Sequence, residues 1–134
     1  LPESNPGETS GILRKKAEED ATAVREFAAN QEIADSIIGF HAQQAVEKWL
    51  KAVIASRGAR HEQTHDIDRL LERLEATGIE ITLDRDRLPE LTQYAVPLRY
   101  GELLDAESFE REALVVLVDE VATWAAAQLG STRE

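Results

Sequence analysis

The chain contains no cysteine. A disulfide framework, thiol chemistry and a Cys-ligated metal centre are therefore excluded. Glycine and proline are scarce inside the periodic stretches, seven and four in 134 residues, which favours helix. No apolar run approaches the roughly 18 residues needed to cross a bilayer, so no membrane association is expected. Leu1 to Gly11 is polar and interrupted by Pro2, Pro6 and Gly7. No signal-peptide pattern is read there, and a cytoplasmic location is the expectation. Basic residues are outnumbered: 15 Lys and Arg against 26 Asp and Glu give a net charge of −11 and a pI near 4.7. Binding to a phosphate backbone rests on clustered Lys and Arg, so DNA is not an expected partner. Two local basic groups remain, Arg57 with Arg60, and Arg85 with Arg87 and Arg99. The first pair lies near a helix C-terminus, where cations answer the dipole.

Several catalytic signatures are also missing. There is no glycine-rich phosphate loop and no nucleophile-elbow pattern for a serine hydrolase. Carboxylates are many but spread over exposed helix faces. His61 and His65 are four apart, the spacing of a two-His site on a helix, yet they straddle a cap predicted at Thr64. No metal site, no cofactor and no catalytic residue is assigned.

What is present is helical periodicity in one domain of ordinary globular composition, 43% hydrophobic and 31% charged. Residues 1–10 read as a flexible lead and residues 11–130 as the folded domain. Ser10 is the predicted N-cap of a helix from Gly11 to Ala29, with Leu13, Ala17, Ala21, Val24 and Ala28 as its stripe. A second helix is predicted from Gln31 to Arg57, stopped by Gly58. Thr64 should cap a short third helix carrying Ile67, Leu70, Leu71 and Leu74, with Gly78 as its stop. A fourth is expected over Asp86 to Ala95, where Pro89 fits in the first turn and Val96-Pro97 ends it. A fifth runs from Ala106 to Leu129, capped by Asp105 and stopped by Gly130. Five helices with mostly short links predict an all-α, up-and-down antiparallel bundle with both Trp residues in the core.

The second helix carries the most informative run, Phe40-His41-Ala42-Gln43-Gln44-Ala45-Val46-Glu47-Lys48-Trp49-Leu50-Lys51. At about 100° per residue, His41, Gln44, Lys48 and Lys51 share one arc, and Ala42, Ala45, Val46, Trp49 and Val53 lie opposite. Earlier in the helix, the polar side becomes apolar with Ile33, Ile37 and Phe40. Those three are candidates for a second contact surface, met by another helix or by a second copy in a homodimer. Thr64-His65-Asp66 opens the third helix. Capping accounts for Thr64 and Asp66, whereas His65 could serve phosphate recognition at a helix start. In Leu98-Arg99-Tyr100-Gly101 the Arg fork could hold a phosphate while the ring stacks on a base. The alternative is a packed Tyr beside a paired Arg.

Three segments together resemble the HEPN domain family (higher eukaryotes and prokaryotes nucleotide-binding). They are Phe40 to Lys48 with Lys51-Ala52, Thr64-His65-Asp66-Ile67 with Leu70-Leu71, and Leu91-Thr92 leading to Leu98-Arg99-Tyr100. The resemblance spans about residues 12–129. It implies a helical bundle that is often dimeric, and a gene neighbour encoding a minimal nucleotidyltransferase in a toxin–antitoxin-like pair. Many members are metal-independent RNases whose motif is an Arg, four to six intervening residues, and then a His. Arg99 matches that Arg, but Leu104, Asp105 and Ala106 stand where the His would be. Transfer of a proton from a 2′-hydroxyl is usual work for a His. The resemblance therefore implies a non-catalytic subunit that offers Arg99, Tyr100, His65, Lys51, Gln44, Lys48 and His41 to a nucleotide, RNA or nucleotidyltransferase partner. The alternative is an RNase toxin that uses Arg99 with a His from elsewhere in the chain, for which His65 is the candidate.

Overall fold

The computed structural model describes residues 5–60, 63–95 and 109–130. Among them the chain forms four α-helices and one 3-10 helix, with no strand. The helices are α1 (Pro6–Ala28), α2 (Asp35–Ser56), α3 (Ile67–Ala76) and α4 (Arg111–Gly130), and the 3-10 helix Leu88–Tyr94 lies between α3 and α4.

Side-chain ties give the helix directions. Ser10 Oγ, early in α1, donates to Ala52 O, late in α2, at 2.9 Å. Further along, Asp20 meets His41 and Lys48. The two helices are therefore antiparallel. Arg111 at the start of α4 reaches Asp35 at the start of α2. Arg57, just past the end of α2, donates to Gln128 near the end of α4 at 2.7 Å. The helices α2 and α4 thus run in the same direction, as alternate members of an up-and-down bundle do.

Helix α2 is the centre of the core. Ile38, Ala42, Ala45, Val46, Leu50, Val53 and Ile54 are fully buried, and Trp49 and Trp124 are buried as expected. Leu70, Leu71 and Leu74 of α3 close one side. Gly39 permits a close approach: a Cβ there would sit 2.8 Å from the Tyr94 ring. Gly78, at φ +93°, ends α3 in the left-handed region that glycine tolerates.

Several boundaries differ from the sequence expectation. Helix α1 starts at Pro6, because Asn5 Oδ1 accepts from Glu8 N at 2.7 Å. Ser10 is not its cap but a buried residue within it. Ile33 falls in the turn before α2, so Ile33, Ile37 and Phe40 do not share one helical face. The cap of α3 is Asp66, and Thr64 instead accepts from Asp66 N in the preceding turn. The fourth helix is 3-10 rather than α. Asp105, the expected cap of the last helix, lies outside the described residues. Helix α4 begins at Arg111, where Glu110 Oε1 accepts from Ala113 N.

The start of α4 also holds the α1–α2 turn. Arg111 donates to Asp35 Oδ1 at 2.9 Å, to Ile33 O at 2.6 Å and to Asn30 O at 3.0 Å. One guanidinium thereby serves carbonyls left over beyond a helix end.

The expectation that no segment is apolar enough to span a membrane needs amending. By length and composition α4 is long and apolar enough to do so. Core helices of soluble proteins meet the same criterion, and Asp119 and Glu120 lie at the middle of this one.

Candidate functional site

The polar residues of α2 do not form one patch. They divide between two carboxylates. Toward α1, Asp20 accepts from His41 Nδ1 through Oδ1 at 2.9 Å and from Lys48 Nζ through Oδ2 at 2.7 Å. The His41 ring lies edge-on between Phe27 and Phe40, with centroids 5.5 and 5.4 Å away. Toward α3, Glu47 accepts from Lys51 Nζ through Oε2 at 2.7 Å. Its Oε1 accepts from Gln43 Nε2 at 2.8 Å and from His65 Nδ1 at 3.0 Å. Gln43 Nε2 also donates to His65 O at 3.1 Å, which ties the approach to α3 onto α2. Gln44 Nε2 donates to Gln43 Oε1 at 2.7 Å and adds itself to the same network.

The Glu47 network is nearly dry. Gln43 is fully buried, and the Glu47 and Lys51 side chains are 5% and 10% exposed. Burial by itself would raise the Glu47 pKa. The hydrogen bonds from Lys51, His65 and Gln43 outweigh it and hold the carboxyl below its usual value. Glu47 is therefore ionised near neutral pH and can only accept. His65 Nδ1 must then carry the proton. In the neutral ring, Nε2 is left as the free lone pair. The His65 side chain is 58% exposed, and Nε2 has no partner among the described residues. A His whose Nδ1–H is held by a carboxylate has its tautomer and ring orientation set in advance.

The expected phosphate cradle at the start of α3 is not built from backbone amides. Ile67 N donates to Thr92 Oγ1, Asp68 N and Arg69 N donate to Asp66 Oδ1, and Leu70 N donates to Asp66 O. All four amides are taken, and Asp66 and Asp68 add negative charge. Nor is Arg85 part of a free basic patch. It pairs with Asp68 and Glu75, which raise its pKa, Asp68 the more strongly.

His65, Lys51 and Gln44 thus belong to one network, while His41 and Lys48 belong to another. Arg99 and Tyr100 lie outside the described residues, as do His61, Leu104 and Ala106. Glu62 after His61 completes the letters H-E-x-x-H, but His65 precedes α3 and its Nδ1 is committed to Glu47. No group of three or more His, Cys, Asp or Glu side chains forms a metal site among the described residues. Ile37 is exposed, and Ile33 and Phe40 are half-buried.

Sequence reasoning named Gln44 and Lys51 but missed Gln43, Glu47 and Asp20, the groups that organise both networks. A signal was available. Gln43, Glu47 and Lys51 recur every four residues along a helix that is otherwise largely apolar, where buried polar side chains have to be satisfied among themselves.

A family model described as HEPN domain matches residues 11–128. The chain belongs to the HEPN domain family. No curated protein and no solved structure gave a match. In this HEPN chain the four-residue ladder of α2 and the Thr64-His65-Asp66 turn, which carried the resemblance, are held together by Glu47.

Proposed function

We propose that this HEPN chain is a non-catalytic nucleotide- or partner-binding subunit in which His65 is a ligand contact. The observation that carries the reading is the pre-set ring: Nδ1 is tied to the buried Glu47, and Nε2 is left at the surface. A ring fixed in this way can accept a hydrogen bond from a ligand, or donate one when protonated, at little ordering cost. Lys51 supports the site indirectly by holding Glu47. By sequence, Arg99 and Tyr100 supply the phosphate fork and the stacking ring. The partner of such a subunit is a minimal nucleotidyltransferase in a toxin–antitoxin-like pair. The subunit itself acts in the cytoplasm as a homodimer, with the exposed Ile37 as its interface candidate.

A thermal-shift series with AMP and ATP tests the reading, since a ligand of the folded state raises the apparent melting temperature. The wild type should shift. Arg99→Ala should lose about 1.5–3 kcal/mol of binding, as for a charge-assisted contact, and His65→Ala should lose less. No shift with either nucleotide would refute the nucleotide reading.

The same ring gives specific support to a second reading, a metal-independent RNase. A His oriented by a carboxylate is suited to proton transfer, and it would replace the His missing after Arg99. Cleavage of single-stranded RNA that persists in EDTA and disappears in both Arg99→Ala and His65→Ala would establish this alternative.

A further inference from the structure

Among the described residues, helix α4 has a second face that stays outside the core. Only 39% of its most apolar stretch is buried within the chain. Val116, Glu120, Thr123 and Ala127 follow one another at intervals of four, three and four residues, so they share one side of the helix. All four are exposed, and Val116, at 55%, is among the most exposed large apolar side chains described. This face forms one wall of an open groove of about 980 Å³, whose other wall is the segment Thr82-Leu83-Asp84. Among the described residues the groove is lined by Asp84, Asp119 and Glu120, and by no Lys or Arg.

The neighbouring groove against α1 shares Thr123 with this one and is lined by Arg14 and Arg25 as well as Glu18. Of the two linings, that of the Thr82-Leu83-Asp84 side is the more acidic. Asp119 makes an exposed contact with Arg25 at 3.5 Å, and Asp84 Oδ1 accepts from Asp86 N and Arg87 N. Glu120 has no partner among the described residues. Trp124, a buried wall residue, has an indole Nε1–H without an acceptor among the described residues.

We infer that this groove docks an amphipathic helix of another protein, with Leu- or Val-type side chains against Val116 and Leu83 and Lys or Arg opposite Glu120 and Asp119. Helix-in-groove recognition joins an apolar stripe to flanking charge in this way. The potential of the wall selects a basic partner. An acidic segment, including most of this chain's own surface, would meet like charge. The inference is independent of the His65 reading, which concerns the α2–α3 side of the molecule.

The test is calorimetric titration of the full chain with a synthetic Leu/Lys amphipathic helix and with its Leu/Glu counterpart. The Lys peptide should bind and weaken as salt is raised, and the Glu peptide should not bind. The double variant Asp119→Lys, Glu120→Lys should reduce affinity at least about tenfold, as should Val116→Asp. Glu72→Lys, an exposed position of α3, should leave binding unchanged. Circular dichroism and melting temperature check that each variant remains folded. Equal loss in Glu72→Lys would mean diffuse charge attraction and would overturn the proposal. Binding to phosphatidylcholine vesicles that is lost in Val116→Asp would assign the face to lipid instead. A native mass twice that of the chain, halved by Val116→Asp, would assign it to a second copy.

Discussion

Asp20 and Glu47 each gather one histidine and one lysine, by Nδ1 on one oxygen and Nζ on the other, yet the two clusters serve different ends. Asp20 belongs to α1 and takes both partners from α2. It is a cross-helix tie, and its His41 is enclosed by Phe27 and Phe40. Glu47 takes Lys51 from one turn further along its own helix and His65 from the turn before α3. Its histidine is the most exposed member of the set, at 58% against 28% for His41. The same three functional groups thus make a strut in one place and a presented ring in the other. What differs is whether apolar side chains close over the imidazole.

The largest test of that contrast is removal of each carboxylate. Glu47→Ala leaves the Lys51 ammonium buried without its partner and should cost about 3–5 kcal/mol. Asp20→Ala uncovers groups that water already reaches in part, and should cost about 1.5–3 kcal/mol. Urea denaturation of both variants measures the difference. A greater loss at Asp20 would reverse the ranking. A Glu47→Leu, Lys51→Met pair should regain much of the first loss, because a well-packed apolar pair can replace a buried ion pair.

Acid sharpens the comparison next. The Glu47 pKa is lower in the folded chain than its usual value. Its contribution to stability is therefore complete above the usual carboxylate value. It is lost as pH falls from there through the lowered native value. Glu47→Gln should be less stable at neutral pH and should lose less on acidification than the wild type. Parallel melting curves down the acid range would show the two converging. Curves that stay parallel would remove Glu47 from the acid response.

The smallest effects fall on the histidines. His65→Ala should change stability by no more than about 1 kcal/mol, as for an exposed pair. Diethyl pyrocarbonate should modify His65 before His41, as followed by peptide mass spectrometry. Glu47→Gln should slow the His65 reaction if the ionised carboxylate is what leaves Nε2 as the nucleophilic nitrogen. Faster modification of His41 would contradict the enclosure described for it.

The helical character of the chain was readable because it is local. Leu70, Leu71 and Leu74 of α3, or Ala17, Ala21 and Val24 of α1, reveal their faces through spacing alone. The stops at Gly58 and Gly78 were readable for the same reason: both take positive φ, at +77° and +93°. The caps were harder to place, since Asn5, Ser10, Thr64 and Asp66 are all competent residues. The choice among them depends on whether Ser10 finds Ala52 O and whether Ile67 N finds Thr92.

The candidate site was legible only in part. A Glu and a Lys four apart normally describe an exposed helix pair. Nothing in the pair Glu47 and Lys51 says that it lies beneath the approach to α3. The role of Arg111 was hidden more completely, because its acceptors lie 76 to 84 residues earlier.

By itself, then, the sequence determined that the chain is helical, which faces of α1, α2 and α3 turn inward, and its membership of the HEPN family. These follow from the 3.6-residue period and from short motifs, which need no knowledge of distant contacts. Tertiary structure alone decided which carboxylate each basic side chain would meet, that His41 would be enclosed and His65 presented, and that one face of α4 would stay outside the core. The ties of His65 to Glu47 and of His41 and Lys48 to Asp20 join residues 18 to 28 positions apart. Side-chain hydrogen bonds over such distances form only once the helices have been brought together by their apolar faces.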